Sequence, residues 1–107
     1  IIRDISMIFE PDVYPISQTR FKQKSDFYSL FACVFDLRKI GSLNHKHIKD
    51  IRHNITLMTE KIGPQSEIDK YREYAMRCLS DANSVSNRKW RVQFLKEFLE
   101  PAYIDEE

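Results

Sequence analysis

Glycine and proline are scarce in this sequence, with only two glycines and four prolines among 107 residues. Such a composition does not suit a β-sandwich with many loops or a disordered linker. Long apolar runs are missing too, since none approaches the roughly 18 residues that a membrane-spanning helix needs. Asp4 interrupts the apolar start of the chain, and no basic segment precedes it as in a secretory signal. We therefore expect a cytoplasmic domain that contacts no membrane.

Residues that carry common catalytic chemistry are equally sparse. Two glycines cannot build a phosphate-binding loop. His45 and His47 are two residues apart and His53 lies six further on, so the three do not share one helix face. No segment resembles a nucleophile elbow or a zinc-binding helix. We predict no catalytic residue, metal ligand or cofactor, and we expect this chain alone not to be an enzyme, while a nuclease or NTPase activity stays open for a parent protein.

Apolar residues recur at helical spacing in five segments, and no segment alternates for long enough to form a strand. The pattern predicts an all-α fold, a compact bundle of about five helices without a sheet. The first helix covers residues 1–9, residues 11–23 form a loop, and a last helix ends at Pro101. Predicted N-caps are Ser25, Ser42 or Asn44, Ser66 and Ser86.

The second helix is the most apolar and should lie at the centre, with Phe31 and Val34 nearly fully buried. Cys33 and Cys78 belong to apolar stripes, so we expect two buried, reduced thiols, with a disulfide between them as the alternative. Tyrosines expected at the surface are Tyr14, Tyr74 and Tyr103.

The net charge of +1 conceals a marked segregation along the chain. Residues 1–19 carry a net charge of −2, residues 20–91 carry +7 and residues 92–107 carry −4. We predict one helical domain over residues 1–107, with an acidic tail over residues 100–107. Because the chain begins at Ile1, we expect it to be a piece of a longer protein, with residues 1–10 as the joint to the remainder.

Two basic clusters lie at predicted helix starts, where positive charge opposes the helix dipole. The first comprises Arg20, Lys22 and Lys24, and the second comprises Arg88, Lys89 and Arg91. Trp90 lies among the second cluster and is a candidate for stacking on a nucleic-acid base. If the two helix starts lie side by side, these seven residues predict a site for phosphate or nucleic-acid backbone. The alternative places Trp90 in the core and the bases in water or against the acidic ends.

Two stretches carry a resemblance to a known family. Residues 19–31 (TRFKQKSDFYSLF) resemble the helical segment that follows the ParB-like domain in GmrS-related bacterial restriction proteins, and residues 84–91 (SVSNRKWR) resemble their short arginine-rich element. Such proteins accompany or are fused to HNH-type nucleases in anti-phage systems. The resemblance covers roughly residues 17–99. This sequence has neither the family's Asp-Gly-Gln-Gln-Arg-type motif nor an HNH motif, so no catalytic residue is carried over.

Two functions follow as hypotheses. The first is a non-catalytic helical module of a restriction or anti-phage protein that contacts nucleic-acid backbone through the basic helix starts. The second is a helical domain for protein–protein interaction or oligomerisation. The partners implied are nucleic acid and, from the resemblance, an upstream ParB-like domain in the first case, and another protein in the second.

Overall fold

A computed structural model describes residues 2–79 and 83–104 of the chain. Within these residues the chain folds into five α-helices and forms no β-strand, which confirms the predicted all-α class. The helices are α1 (Ile2–Ile8), α2 (Lys24–Leu37), α3 (Ile48–Lys61), α4 (Asp69–Leu79) and α5 (Val85–Leu99). Four short 3₁₀ turns lie between or after them, at Ile16–Gln18, Arg20–Lys22, His45–His47 and Glu100–Ala102.

Helix α2 forms the centre of the bundle, as its apolar pattern predicts. It packs most extensively on α5 and also contacts α1. Leu30, Cys33, Val34 and Leu37 are completely buried. Phe31 is only half-buried, contrary to the prediction, because it lies about 100° around the helix from Leu30 and faces a groove between α2 and α5.

The four helices with a predicted N-cap all begin at a different residue. Asn44 caps the 3₁₀ turn that leads into α3, so α3 itself begins after His47. Helix α4 begins at Asp69, three residues after Ser66.

The starts of α2 and α5 are each two residues earlier than predicted. Helix α2 follows Gln23, and not Ser25, and Gln23 makes no side-chain capping bond. Helix α5 is capped by Ser84, whose hydroxyl accepts a hydrogen bond from the Asn87 backbone at 3.2 Å, and Ser86 lies inside the helix. Both serines have the spacing that suits a cap, and the local chain path decides between them.

The segment predicted as a loop before α2 is partly ordered into 3₁₀ turns. Thr19 caps the second turn by accepting a hydrogen bond from the Phe21 backbone at 3.2 Å. Arg52 of α3 donates to the carbonyl oxygens of Met7 and Ile8, which satisfies the last turn of α1. These bonds fix the route by which the chain enters α2.

Two buried carboxylates hold the bundle together in the same manner, each with one tyrosine and one arginine. Tyr103 donates to Asp4 at 2.8 Å, and Arg38 Nη1 lies 3.3 Å from the same carboxylate. Tyr74 donates to Asp26, which also lies 3.4 Å from Arg20 Nε.

The prediction that Tyr74 and Tyr103 are exposed is therefore wrong: their relative exposures are 0% and 3%. Tyr14 is half-buried. A tyrosine ring is stable in a core when its hydroxyl finds a partner there, and helical spacing does not reveal such a partner.

Both cysteines are reduced, as predicted, and no disulfide joins them. Cys33 is completely buried, whereas Cys78 is half-buried and the prediction of full burial was wrong for it. The last residues of the predicted acidic tail, 105–107, lie outside the described residues, as does Ile1 in the predicted joint. No helix in the described part of the chain is long and apolar enough to cross a membrane.

Candidate functional site

The starts of α2 and α5 lie side by side, so the structure places the two predicted basic clusters at the same end of the bundle. Arg91 Nε donates to Ser29 Oγ at 3.1 Å near these starts. Further along both helices, Lys96 Nζ lies 2.9 Å from Asp36 Oδ2. The later residue of α2 contacts the later residue of α5, so the two helices run parallel. Their N-termini, which are the positive ends of the helix dipoles, therefore lie at the same end of the bundle.

A groove of about 870 Å³ runs between these two parallel helices. It lies within the size range of ordinary ligand sites. Apolar side chains from both helices line it, namely Tyr28, Phe31, Ala32, Val85 and Val92. Arg88 and Lys89 lie at its basic end, and the Asp36–Lys96 ion pair lies at the other. The groove is thus mostly apolar, with serine and amide side chains among its lining, and positive at the helix starts. We call it the α2–α5 groove.

Four of the predicted basic residues are exposed at this end, namely Lys22, Lys24, Arg88 and Lys89. Within residues 2–79 and 83–104, no carboxylate lies within ion-pair distance of any of them. The Lys24 ammonium lies 5.8 Å from the centroid of the Tyr28 ring, at the edge of the groove. These side chains can therefore meet an anion from outside without first breaking an ion pair.

Arg20 belongs to the same cluster in sequence but points inward. Its guanidinium lies against Asp26 and over the Tyr74 ring, 5.2 Å from the centroid, and its side chain is only 15% exposed. Its charge is balanced by a carboxylate that is completely buried. Arg20 thus ties the approach to α2 onto α4, and its placement does not suit contact with an external phosphate.

Arg91 is also an interior residue, at 1% exposure. Its guanidinium donates to Ser29 Oγ and, at 3.0 Å, to the carbonyl oxygen of Arg77 near the end of α4. It therefore joins α5 to α2 and α4. From the sequence, Arg91 and Arg88 were predicted to share one site, since nothing in the run Arg88–Arg91 distinguishes an inward base from an outward one.

Trp90 lies on a different side of α5 from the groove. Its indole stacks on Phe94, with ring centroids 5.5 Å apart, and Arg77 lies 5.1 Å from its centroid. The ring thus already has stacking partners inside the protein. The exposed aromatic residue at the groove is instead Tyr28, which is 58% exposed and which the sequence analysis missed, whereas Phe31 in the same groove is half-buried. The sequence signal for its exposure is that Tyr28 lies outside the apolar stripe of α2.

The thiol of Cys78, in contact with Arg20 and Asp26, is not a nucleophile. Burial raises the pKa of the Cys78 thiol, Asp26 raises it further, and the guanidiniums of Arg20 and Arg91 only partly oppose this. A thiol held in its protonated form is a poor nucleophile. Nowhere in the described part of the chain do three or more histidine, cysteine or acidic side chains cluster as a metal site would require.

No family model, curated protein or solved structure matches this chain. Any function must therefore be argued from the α2–α5 groove and the charges around it.

Proposed function

We propose that this chain is a non-catalytic helical module that binds nucleic-acid backbone through the exposed bases at the starts of α2 and α5. The observation that supports the proposal is the convergence of Lys24, Arg88 and Lys89 on one end of a single groove. Lys22 stands exposed two residues before α2.

The cost of this arrangement also favours a binding role. Basic residues at a helix start oppose the dipole and destabilise the helix by about 0.3–1 kcal/mol each at the surface. Two parallel helices begin at this end of the groove, so their positive N-termini strengthen the positive potential of the four basic side chains. The resulting field favours a polyanion, and contacts to phosphates would hold it without reading its sequence.

The test is fluorescence anisotropy of a labelled duplex over a range of salt concentrations. Four phosphate contacts predict a log–log slope of about −4 for the wild type. The double variant Arg88→Gln/Lys89→Gln should fold normally, because both side chains are exposed. Its slope should fall to about −2, with the affinity weakened by a similar factor on two unrelated duplexes.

A matched control removes the same amount of charge elsewhere. Lys49 and Lys61 are exposed on α3 and neither lines the groove, so Lys49→Gln/Lys61→Gln should leave the slope unchanged. Equal losses in both double variants would mean that only net charge matters, and an unchanged slope in Arg88→Gln/Lys89→Gln would refute the proposed site.

The assignment to a restriction or anti-phage protein rests on the resemblance of residues 19–31 and 84–91. The sequence of the encoding gene tests it directly. A ParB-like domain upstream of these residues would support the family, and its absence from the gene would count against it.

A protein-binding module is the second candidate, and a separate surface favours it. Met76 and Leu79 are 50% and 69% exposed near the end of α4, three residues apart on one face of that helix, and neither lines the α2–α5 groove. Apolar side chains that lie together at a surface are typical of interaction sites. A chain that binds no DNA but changes oligomeric state when Leu79 is replaced by Gln would favour this function.

A further inference from the structure

We infer that the α2–α5 groove accepts an unpaired nucleobase, which stacks on Tyr28, so that the module prefers single-stranded to duplex nucleic acid. This inference rests on the proposed function and names its substrate class. Phosphate binding accounts for Lys24, Arg88 and Lys89, but it does not account for an apolar groove that begins beside them.

The composition of the groove favours this ligand. Tyr28 exposes more than half of its surface at the basic end, and the Lys24 ammonium lies 5.8 Å from its ring centroid. Phe31 and Val92, one turn or more further along α2 and α5, continue the apolar surface away from the bases. A nucleotide has the complementary character, with a charged phosphate joined to a flat apolar ring.

Duplex nucleic acid cannot use this groove in the same way, because its bases are stacked on one another and their faces are covered. Unpaired bases are free to stack on an aromatic side chain, and such stacking tolerates any base. The arrangement of an aromatic ring beside basic side chains is that of general single-strand binding surfaces. The groove thus distinguishes single-stranded from duplex nucleic acid by whether the face of a base can reach Tyr28, and not by the base sequence.

The experiment measures anisotropy with a labelled oligothymidine strand of about 12 nucleotides, and with the duplex that the same strand forms with oligoadenosine. Tyr28→Ala should weaken binding of the single strand by about tenfold or more, which corresponds to the loss of one base–aromatic stack. The same variant should leave duplex binding unchanged within about twofold, since the duplex is held by phosphate contacts alone. Tyr28→Phe keeps the ring and should bind the single strand as the wild type does.

Phe35→Ala is the matched control, because Phe35 is an exposed aromatic residue on the same helix that does not line the groove. It should change neither affinity. Two results would overturn the inference while leaving the proposed function intact. One is an unchanged single-strand affinity in Tyr28→Ala, when Arg88→Gln/Lys89→Gln still weakens binding. The other is an equal loss of single-strand and duplex binding in Tyr28→Ala.

Failure of the proposed function has a different signature. If Arg88→Gln/Lys89→Gln binds both forms as tightly as the wild type, the basic site is refuted and the inference falls with it. A labelled glutamate-rich amphipathic peptide provides the last arm. Binding of that peptide in a Tyr28-dependent manner, without binding of the single strand, would assign the groove to an acidic protein segment and overturn the inference.

Discussion

The hydrogen bond between Tyr74 and Asp26 offers the sharpest test of how this bundle is held together. Both side chains are 0% exposed, and the Tyr74 hydroxyl donates to Asp26 Oδ1. The carboxylate has one further oxygen, Oδ2, without a hydrogen-bond partner among the described residues. Tyr74→Phe therefore removes a bond from a buried acid that is already short of donors, while the ring keeps its packing on Phe94, with centroids 5.1 Å apart.

A hydrogen bond to a charged group contributes about 1.5–3 kcal/mol, and no cavity forms because only the hydroxyl oxygen is lost. We expect Tyr74→Phe to lower the free energy of unfolding by an amount within that range. Tyr103→Phe is the matched comparison, because Tyr103 bonds to the buried Asp4 in the same way. Its loss should be smaller, since the arginine beside Asp4, Arg38, has a side chain that is 45% exposed and leaves that carboxylate nearer water.

Urea unfolding followed by circular dichroism measures both losses, and a double-mutant cycle separates the pair from its surroundings. In the background Asp26→Asn, Tyr74→Phe should cost clearly less than in the wild type, because the carboxylate that the hydroxyl serves is gone. A cost for Tyr74→Phe of less than about 0.5 kcal/mol, the range of ordinary surface changes, would refute the network as described.

Two further predictions concern the glycines and the buried thiol. A Cβ added at Gly41 would collide with the Tyr103 backbone carbonyl, whereas one at Gly63 would meet nothing within 4 Å. Gly41→Ala should therefore lower the melting temperature, and Gly63→Ala should leave it unchanged or raise it slightly, by differential scanning calorimetry. Burial raises the pKa of the Cys33 thiol from 9.0 to about 12, so the folded chain holds this proton after the unfolded chain has lost it. The contribution of the Cys33 thiol to the free energy of unfolding is fully present below about pH 9. It decreases by about 1.4 kcal/mol per pH unit as the pH rises towards 12. Between about pH 8 and pH 11, the free energy of unfolding measured in urea should decrease by about 3 kcal/mol less in Cys33→Ala than in the wild type. Equal decreases in the two proteins would contradict the burial of the thiol.

The sequence by itself determined the helical class and the central helix of this protein. Apolar residues recur every three or four positions in α2 and α3, and that spacing specifies a helix face whatever the rest of the chain does. Leu30, Val34, Ile51 and Ile55 are accordingly buried. Local chemistry was less informative at the helix starts, since Ser86 was the predicted cap of α5 and the structure uses Ser84.

Tertiary structure alone decided which polar side chains turn inward. Arg88 and Arg91 are equally basic and three residues apart, yet one is exposed and the other is 1% exposed. Arg91 is buried because Ser29 and the carbonyl of Arg77, both distant in sequence, supply acceptors for its guanidinium. The spacing of apolar residues shows which helix face is hydrophobic. It does not show whether a polar side chain has a hydrogen-bond partner on another helix, and such a partner is what makes its burial possible.

The candidate site has the same mixed origin. The two basic runs were visible in the sequence, because charge is a property of single residues. That they converge depends on α2 and α5 packing in parallel, which places residues about 60 positions apart beside the same groove. The choice of Tyr28 over Trp90 as the exposed ring depends on the side of each helix that its neighbours cover. Both facts follow from contacts between distant segments, which only the folded chain brings together.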